Sequence, residues 1–309
     1  MTTTKPGQGM TGPTKLADLY EIAKKNRKKR LVVAVAQDEH SLEAVCAVVK
    51  LGLVEATLVG SSSKIKAIAD KLKLDLAGST LVNEENDQAA VKLAVKLVHD
   101  KEGDILMKGN VPTAVLLRGV LDKECGLRKS DVLSHFALFQ VPTYHKLIGL
   151  TDAAMVIAPD LKTKIAIINN AVEFMNRIGI TKPKVAIHGA VEVVNEAMPP
   201  TIDAAIISKM NQRGQIKNCI IDGPLAYDNA VSMESAHHKG IVSEVAGDAD
   251  LLIVPDITAG NILYKAYGFS ANAILAANIL GAAAPIVLTS RSDTEEAKQA
   301  SIVLAAAAN

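Results

Sequence analysis

Leu31-Val-Val-Ala-Val-Ala36 is a continuous apolar run with no polar alternation. A strand with one face in water alternates apolar and polar residues. A strand covered on both faces does not, and such strands belong to parallel sheets. Residues 41–51 follow with apolar side chains at helical spacing, and the pair then recurs: strand at 56–59, helix at 63–72, strand at 80–82, helix at 87–99, strand at 105–107, helix at 112–121. A helix over 16–28 precedes the series. Strands alternating with helices of about 10–15 residues build βαβ units.

The middle of the chain differs. Residues 132–139 and 146–149 read as two strands joined through a proline turn with no full helix between them, an arrangement that suits antiparallel pairing. Alternation then resumes, with a helix at 162–178, a strand at 185–188, a helix at 201–210, strands at 219–221 and 251–254, and helices opening at Asn261 and Ala271. The chain closes with a strand at 285–288 and a helix from about Thr294. The fold class is α/β, in two domains of mostly parallel sheet. The boundary falls near 125–145, and a return crossing near 280 makes 1–130 plus 281–309 one unit and 131–280 the other.

Composition narrows the function. With 34 basic and 33 acidic residues the 309-residue chain carries a net charge of +1, so no bulk field draws it to nucleic acid or to a membrane. Cys46, Cys125 and Cys219 are an odd number without a CxxC pair, which argues against a disulfide framework and for a reducing compartment. No run of about 18 apolar residues marks a transmembrane helix, and MTTTKPGQGMTGPTK lacks an apolar signal core. The expected location is the cytoplasm. Gly7–Gly12 spells GxGxxG, but no strand precedes it, so it is no dinucleotide fingerprint. His237-His238 has no second ligand group at metal spacing and reads as a solvated helix face. No metal is expected.

In α/β sheets ligands bind where strands end and helices begin. After the strand at 105–107 comes Lys108-Gly109-Asn110-Val111-Pro112-Thr113. Gly109 permits a tight turn or a close approach, Pro112 fits the first turn of the next helix, and free backbone N–H groups there suit an anion, which makes Gly109 and Asn110 candidate substrate-binding residues. Arg118 is an arginine on that helix. After 251–254, Gly260 and Asn261 sit where a helix begins, and Lys265 shares the face of Asn261 by i,i+4 spacing. After 285–288 comes Thr289-Ser290-Arg291-Ser292-Asp293-Thr294-Glu295-Glu296. Hydroxyls beside a guanidinium suit phosphate or a developing oxyanion. The acids there also have a structural reading: Ser292 and Glu295 as a capping box, or Asp293 as the helix N-cap.

Five segments, in order, resemble the phosphate acetyl/butyryltransferase family: KGNVPTAVLLRG (108–119), LTDAAM (150–155), DGPLAYDNA (222–230), PDITAGNILYK (255–265) and LTSRSD (288–293). The short terminal loop is similar to the butyryl branch. The resemblance implies an isopropylmalate dehydrogenase-like fold with the site in the cleft between domains, and a homo-oligomer, usually a dimer, joined through the second domain. It implies acyl-CoA and inorganic phosphate as substrates, with coenzyme A a substrate and no further cofactor. It makes Ser290 and Arg291 the central loop, Arg118 the first-domain phosphate arginine and Ser134 a substrate-contacting serine. The family's base, seven residues after the loop serine, falls on Ala297 here, which leaves Glu296 or Asp293 to replace it. Phosphate acetyltransferase, a metal-dependent 2-hydroxyacid dehydrogenase of the same broad fold, and a non-catalytic acyl-CoA sensor are the alternatives.

Overall fold

A computed structural model describes residues 12–288 and 293–308. In chain order its elements are α1 (Asp18–Lys25), β1 (Lys29–Ala34), α2 (Glu39–Lys50), β2 (Val54–Gly60), α3 (Ser62–Leu72), β3 (Ser79–Asn83), α4 (Asp87–His99), β4 (Ile105–Lys108), α5 (Thr113–Val120), β5 (Ser134–Gln140) and β6 (Ile148–Thr151). They continue with α6 (Leu161–Arg177), β7 (Lys184–His188), α7 (Pro199–Gln212), β8 (Ile220–Leu225), α8 (Tyr227–Val231), α9 (Met233–His238), β9 (Leu251–Ile253), α10 (Ile257–Phe269), β10 (Ile274–Leu280), β11 (Ile286–Val287) and α11 (Glu295–Ala307).

All of these strands join one sheet in the order β3-β2-β1-β4-β11-β10-β5-β6-β9-β7-β8. The first five run parallel, as do β6, β9, β7 and β8. β10 is antiparallel to both neighbours, β5 is antiparallel to β6, and so the sheet reverses direction at its centre. β11 returns beside β4, and α11 packs on α1 and α2.

The apolar run that opens the series has a simple cause. Leu31 and Val33 enter one hydrophobic core, while Val32 and Ala34 enter another on the opposite face. Strand residues alternate faces, so a strand with a core on each side is apolar throughout. Burying one such side chain contributes roughly 1.5–3 kcal/mol. Helix starts are set by short polar side chains that accept backbone N–H groups. Asp38 caps α2 through Ser41, Asn86 caps α4 through Gln88 and Ala89, and Asp160 caps α6 through Thr163.

One expected element is of the wrong type. The helix read from Ala271 is instead the strand β10, in the middle of the sheet between β11 and β5. Alanine favours helix in isolation. Here Ala276 and Ala277 are fully or almost fully buried on opposite faces, in two different cores, and tertiary burial overrides the propensity. A second shift is smaller: α10 begins at Ile257, because Asp256 caps it by accepting from Thr258 and Ala259.

The strand bearing the first half of the site is pinned at its start. The Asp104 carboxylate takes forked hydrogen bonds from Arg30 (2.9 and 3.0 Å) and from Arg27 (2.6 and 3.0 Å), and the Arg30 amide as well. Burial would raise this carboxyl, but the bonds from the two arginines outweigh it and hold the group well below the usual carboxylate range. A depressed folded pKa gives stability that is present above the unfolded value of about 3.9 and lost as pH falls through and below it. Asp104→Asn is therefore expected to lower the melting temperature at neutral pH. Its deficit against wild type should shrink between about pH 5 and pH 3. A constant deficit across that range in a thermal-melt series would show that the charge contributes nothing.

Candidate active site

A cleft of about 350 Å³ opens at the centre of the sheet, where its strand direction reverses. In α/β sheets ligands bind at the ends of strands where the strand order reverses, and one wall of the cleft stands at such a switch point, since β2 and β3 lie on one side of β1 and β4 on the other. One wall is the end of β4 and the start of α5, the other is the loop after β6 together with α10, and Leu288 and Asp293 close it from the terminal segment.

On the first wall, the Lys108 ammonium lines the cleft and donates to the carbonyls of Gly109 and Val111, each at 3.1 Å. The Gly109 amide donates to Ala34 and the Asn110 amide to Val35, at 2.9 and 2.8 Å. These two amides hold the turn against the end of β1 and are not available to an anion. Gly109 is required for that closeness, since a Cβ there would sit 2.1 Å from the Val35 carbonyl oxygen. The first amides of α5, those of Thr113 and Ala114, have no acceptor among the described residues. They are the open donors of this turn, as expected of a helix start. Asn110 and Arg118 are exposed and do not line the cleft.

The second wall is tied together by Asp152. Its Oδ2 accepts from the His135 amide at 2.9 Å, and its Oδ1 accepts from the Ala154 and Met155 amides at 2.8 Å each. α10 lies hard against this loop. A Cβ on Gly260 would come within 2.3 Å of the Asp152 carbonyl oxygen, so Gly260 too serves close packing. Asn261 Nδ2 donates to the Ala153 carbonyl at 3.3 Å, and Asn261, Tyr264 and Lys265 all line the cleft. Lys265 Nζ stands 5.5 Å from the Tyr264 ring centroid and 5.8 Å from that of Phe269, within cation–π reach.

The floor shows the strand period at work. Ser134 and His135 begin β5 and point to opposite faces. Ser134 is fully buried and its hydroxyl accepts from Asn170 of α6 at 3.2 Å, away from the cleft. His135 faces the cleft instead, packed edge-on against Tyr264. Burial lowers its pKa against the opposing pull of Asp152, so the ring is neutral.

Ser290 and Arg291 lie outside the described residues. Of the two acids, Asp293 lines the cleft, and burial and then the Asp293 charge push the Tyr264 hydroxyl above its ordinary range. Glu296 is exposed and lines only an adjoining pocket of about 300 Å³ that shares Tyr264, Lys265 and Asp293 with the cleft. The helix cap is Thr294, whose hydroxyl accepts from the Ala297 amide at 3.2 Å. Asp293 is thus not the cap. Glu295 accepts from Gln299 rather than completing a capping box.

The structure therefore brings together Gly260, Asn261, Lys265 and Asp293 with three residues that sequence reasoning did not single out, Lys108, His135 and Asp152. Lys108 and Asp152 sit at strand ends inside segments already marked, so position alone could have found them. His135 is one residue from Ser134, and only the strand's orientation separates them.

The chain is similar to known proteins in both sequence and fold. The family model described as phosphate acetyl/butaryl transferase matches residues 16–93 and 86–306. The phosphate butyryltransferase of Clostridium acetobutylicum is 48% identical over 283 residues, covering 92% of this chain and 94% of that protein. The phosphate acetyltransferase of Thermotoga maritima is 44% identical over 291 residues, covering 94% and 98%. Among solved structures, a branched-chain phosphotransacylase from Enterococcus faecalis V583 superposes with a TM-score of 0.79 at 30% identity, covering 90% of this chain and 98% of that one.

Proposed function

The chain belongs to the phosphate acetyl/butyryltransferase family, and on that basis we propose that it is a phosphate acyltransferase moving a short acyl group, butyryl before acetyl, between coenzyme A and inorganic phosphate. The observation that carries the reading is the cleft itself. It places two lysines, Lys108 and Lys265, around a floor of apolar and neutral groups at the sheet's switch point. With domains at 1–130 plus 281–309 and 131–280, its walls come from both. Coenzyme A is a substrate in this scheme, and no bound cofactor or metal takes part. No helix among the described residues is long and apolar enough to cross a membrane, and we take the enzyme to act in the cytoplasm as a homo-oligomer.

A phosphate oxygen attacks the thioester carbonyl carbon, the C–S bond breaks, and the thiol leaves with the proton that phosphate carried. No covalent enzyme intermediate is needed. Holding both substrates in line is itself worth several kcal/mol, up to about 7–11 in the best cases. Arg291 would hold the phosphate beside Lys108 and Lys265 of the cleft, from which Arg118 stands apart, and Ser290 would hydrogen-bond the thiol or the carbonyl oxygen. In the reverse direction a carboxylate accepts the thiol proton. The position of Asp293 on the cleft favours it over Glu296.

The test is phosphate-dependent release of coenzyme A from acetyl-, propionyl- and butyryl-CoA, followed with a thiol reagent and no divalent metal. Turnover should be highest with butyryl-CoA. Asp293→Asn should slow thiol attack on acyl phosphate more than Glu296→Gln does. No turnover with any of the three thioesters, or complete loss in EDTA restored by Mg²⁺, would sink the assignment.

A further inference from the structure

Nδ1 of His135 is sealed from solvent and has no hydrogen-bond partner among the described residues. Among the described residues neither nitrogen of the ring is paired, yet the ring lines the cleft and the residue is only 5% exposed. A buried polar group left unpaired is costly, and native structures keep few of them. Nδ1 itself is out of a ligand's reach, and the nitrogen left open to a ligand in the cleft is Nε2, which is not sealed. The ring's position is fixed without its nitrogens. Its backbone amide is bound to Asp152 at 2.9 Å, and its edge packs on Tyr264 with the centroids 5.5 Å apart at 70°.

The surroundings say which part of a substrate it meets. The cleft's cations, Lys108 and Lys265, suit phosphate charge, which a neutral ring cannot offset. A neutral N–H held in apolar packing suits an oxygen that is uncharged in the bound substrate and gains charge only during reaction. Resting on the acyltransferase reading, we propose that His135 is a catalytic residue whose Nε2–H donates a hydrogen bond to the thioester carbonyl oxygen. As a phosphate oxygen bonds to the carbonyl carbon, the C=O electron pair moves onto that oxygen and is stabilised there. When the carbonyl re-forms, the C–S pair leaves with sulfur, which takes the proton that phosphate carried. His135 keeps its own proton throughout, in keeping with its neutral, desolvated state.

The test pairs His135→Phe, which keeps a planar ring against Tyr264 but has no nitrogen, with His135→Gln, which restores a donor. In the phosphate-dependent assay with butyryl-CoA, kcat of the Phe variant should fall at least about tenfold while KM for phosphate stays within about twofold. The Gln variant should recover part of the loss. A Phe variant with kcat within about twofold of wild type shows that the ring only fills space, and it overturns the proposal while leaving the acyltransferase reading intact. A wild-type enzyme inactive on every thioester sinks that reading, and this proposal with it. Should the Phe variant not fold, wild-type protein carrying ¹⁵N-histidine is titrated with butyryl-CoA and, separately, with coenzyme A, which has no acyl carbonyl. A shift of the His135 ring nitrogens with butyryl-CoA alone is expected, and equal response to both, or none, overturns the proposal.

Discussion

Gly260→Ala is expected to cut turnover about a hundredfold with little loss of fold. The added methyl would stand 2.3 Å from the Asp152 carbonyl oxygen and 3.0 Å from both Ala153 Cα and Val254 Cγ2. None of these is the free end of a long side chain. Ordinary contact needs α10 to move back by about 1 Å, and overpacking of this kind costs roughly 1–3 kcal/mol. A protein with a sheet of this extent survives that. The cleft does not, because Asn261, Tyr264 and Lys265 all ride on the displaced helix. A shift of about 1 Å in a positioning element can cost roughly 10²-fold in rate. Gly268→Ala on the same helix is the control, since the nearest atom to its new methyl is 3.8 Å away. Gly268 is the next-to-last residue of α10, where the helix propensity gain is smaller than in an interior, so that variant should keep full activity and melt the same or slightly higher, by the equivalent of at most about 0.5 kcal/mol. Equal activity of the two variants would show that the close approach at Gly260 has no bearing on the cleft.

The two glycines of the site also show how far the sequence could be read. Gly109 and Gly260 stand at strand–helix junctions that the sequence marks plainly, and a glycine there can serve two physical ends. It can offer an unhindered amide to an anion, or let two backbones approach. Sequence position does not separate these, because both need only the missing Cβ. In the fold both glycines lie against a neighbouring carbonyl, of Val35 and of Asp152. The βαβ rhythm was legible because double-sided burial writes itself into an unbroken apolar run such as 31–36. The strand β10 was not, because residues 271–277 hold four alanines, and nothing local to them reports that β11 and β5 will pair with the strand. The i,i+4 relation of Asn261 and Lys265 survives a start of α10 four residues earlier than the sequence suggests, since spacing on a helix face does not depend on where the helix begins. The exchange of Ser134 for His135 has the opposite character. A period of two leaves no tolerance, and one residue decides which side of the sheet a group serves.

Asp152→Ala is expected to be the most destabilising single change at the site. The carboxylate is 3% exposed and is the acceptor for three backbone amides, those of His135, Ala154 and Met155. Truncation removes all three bonds at once and leaves their donors in a poorly hydrated wall. Bonds to a carboxylate are worth about 1.5–3 kcal/mol each, and because they share one group they do not add fully, so a total of roughly 3–6 kcal/mol is expected. For a chain of this size that corresponds to a fall of about 6–12 °C in melting temperature. Asp152→Asn refines the test. Its oxygen can keep the Ala154 and Met155 amides, but its NH₂ then faces the His135 amide, donor against donor. The Asn variant should lose about half as much stability as the Ala variant. Its deficit in activity should be disproportionate, because the bond it breaks is the one that fixes the backbone of His135. If Asp152→Ala melts within a degree or so of wild type, water replaces the carboxylate without cost, and the wall formed by β5, the loop after β6 and α10 is held by packing alone.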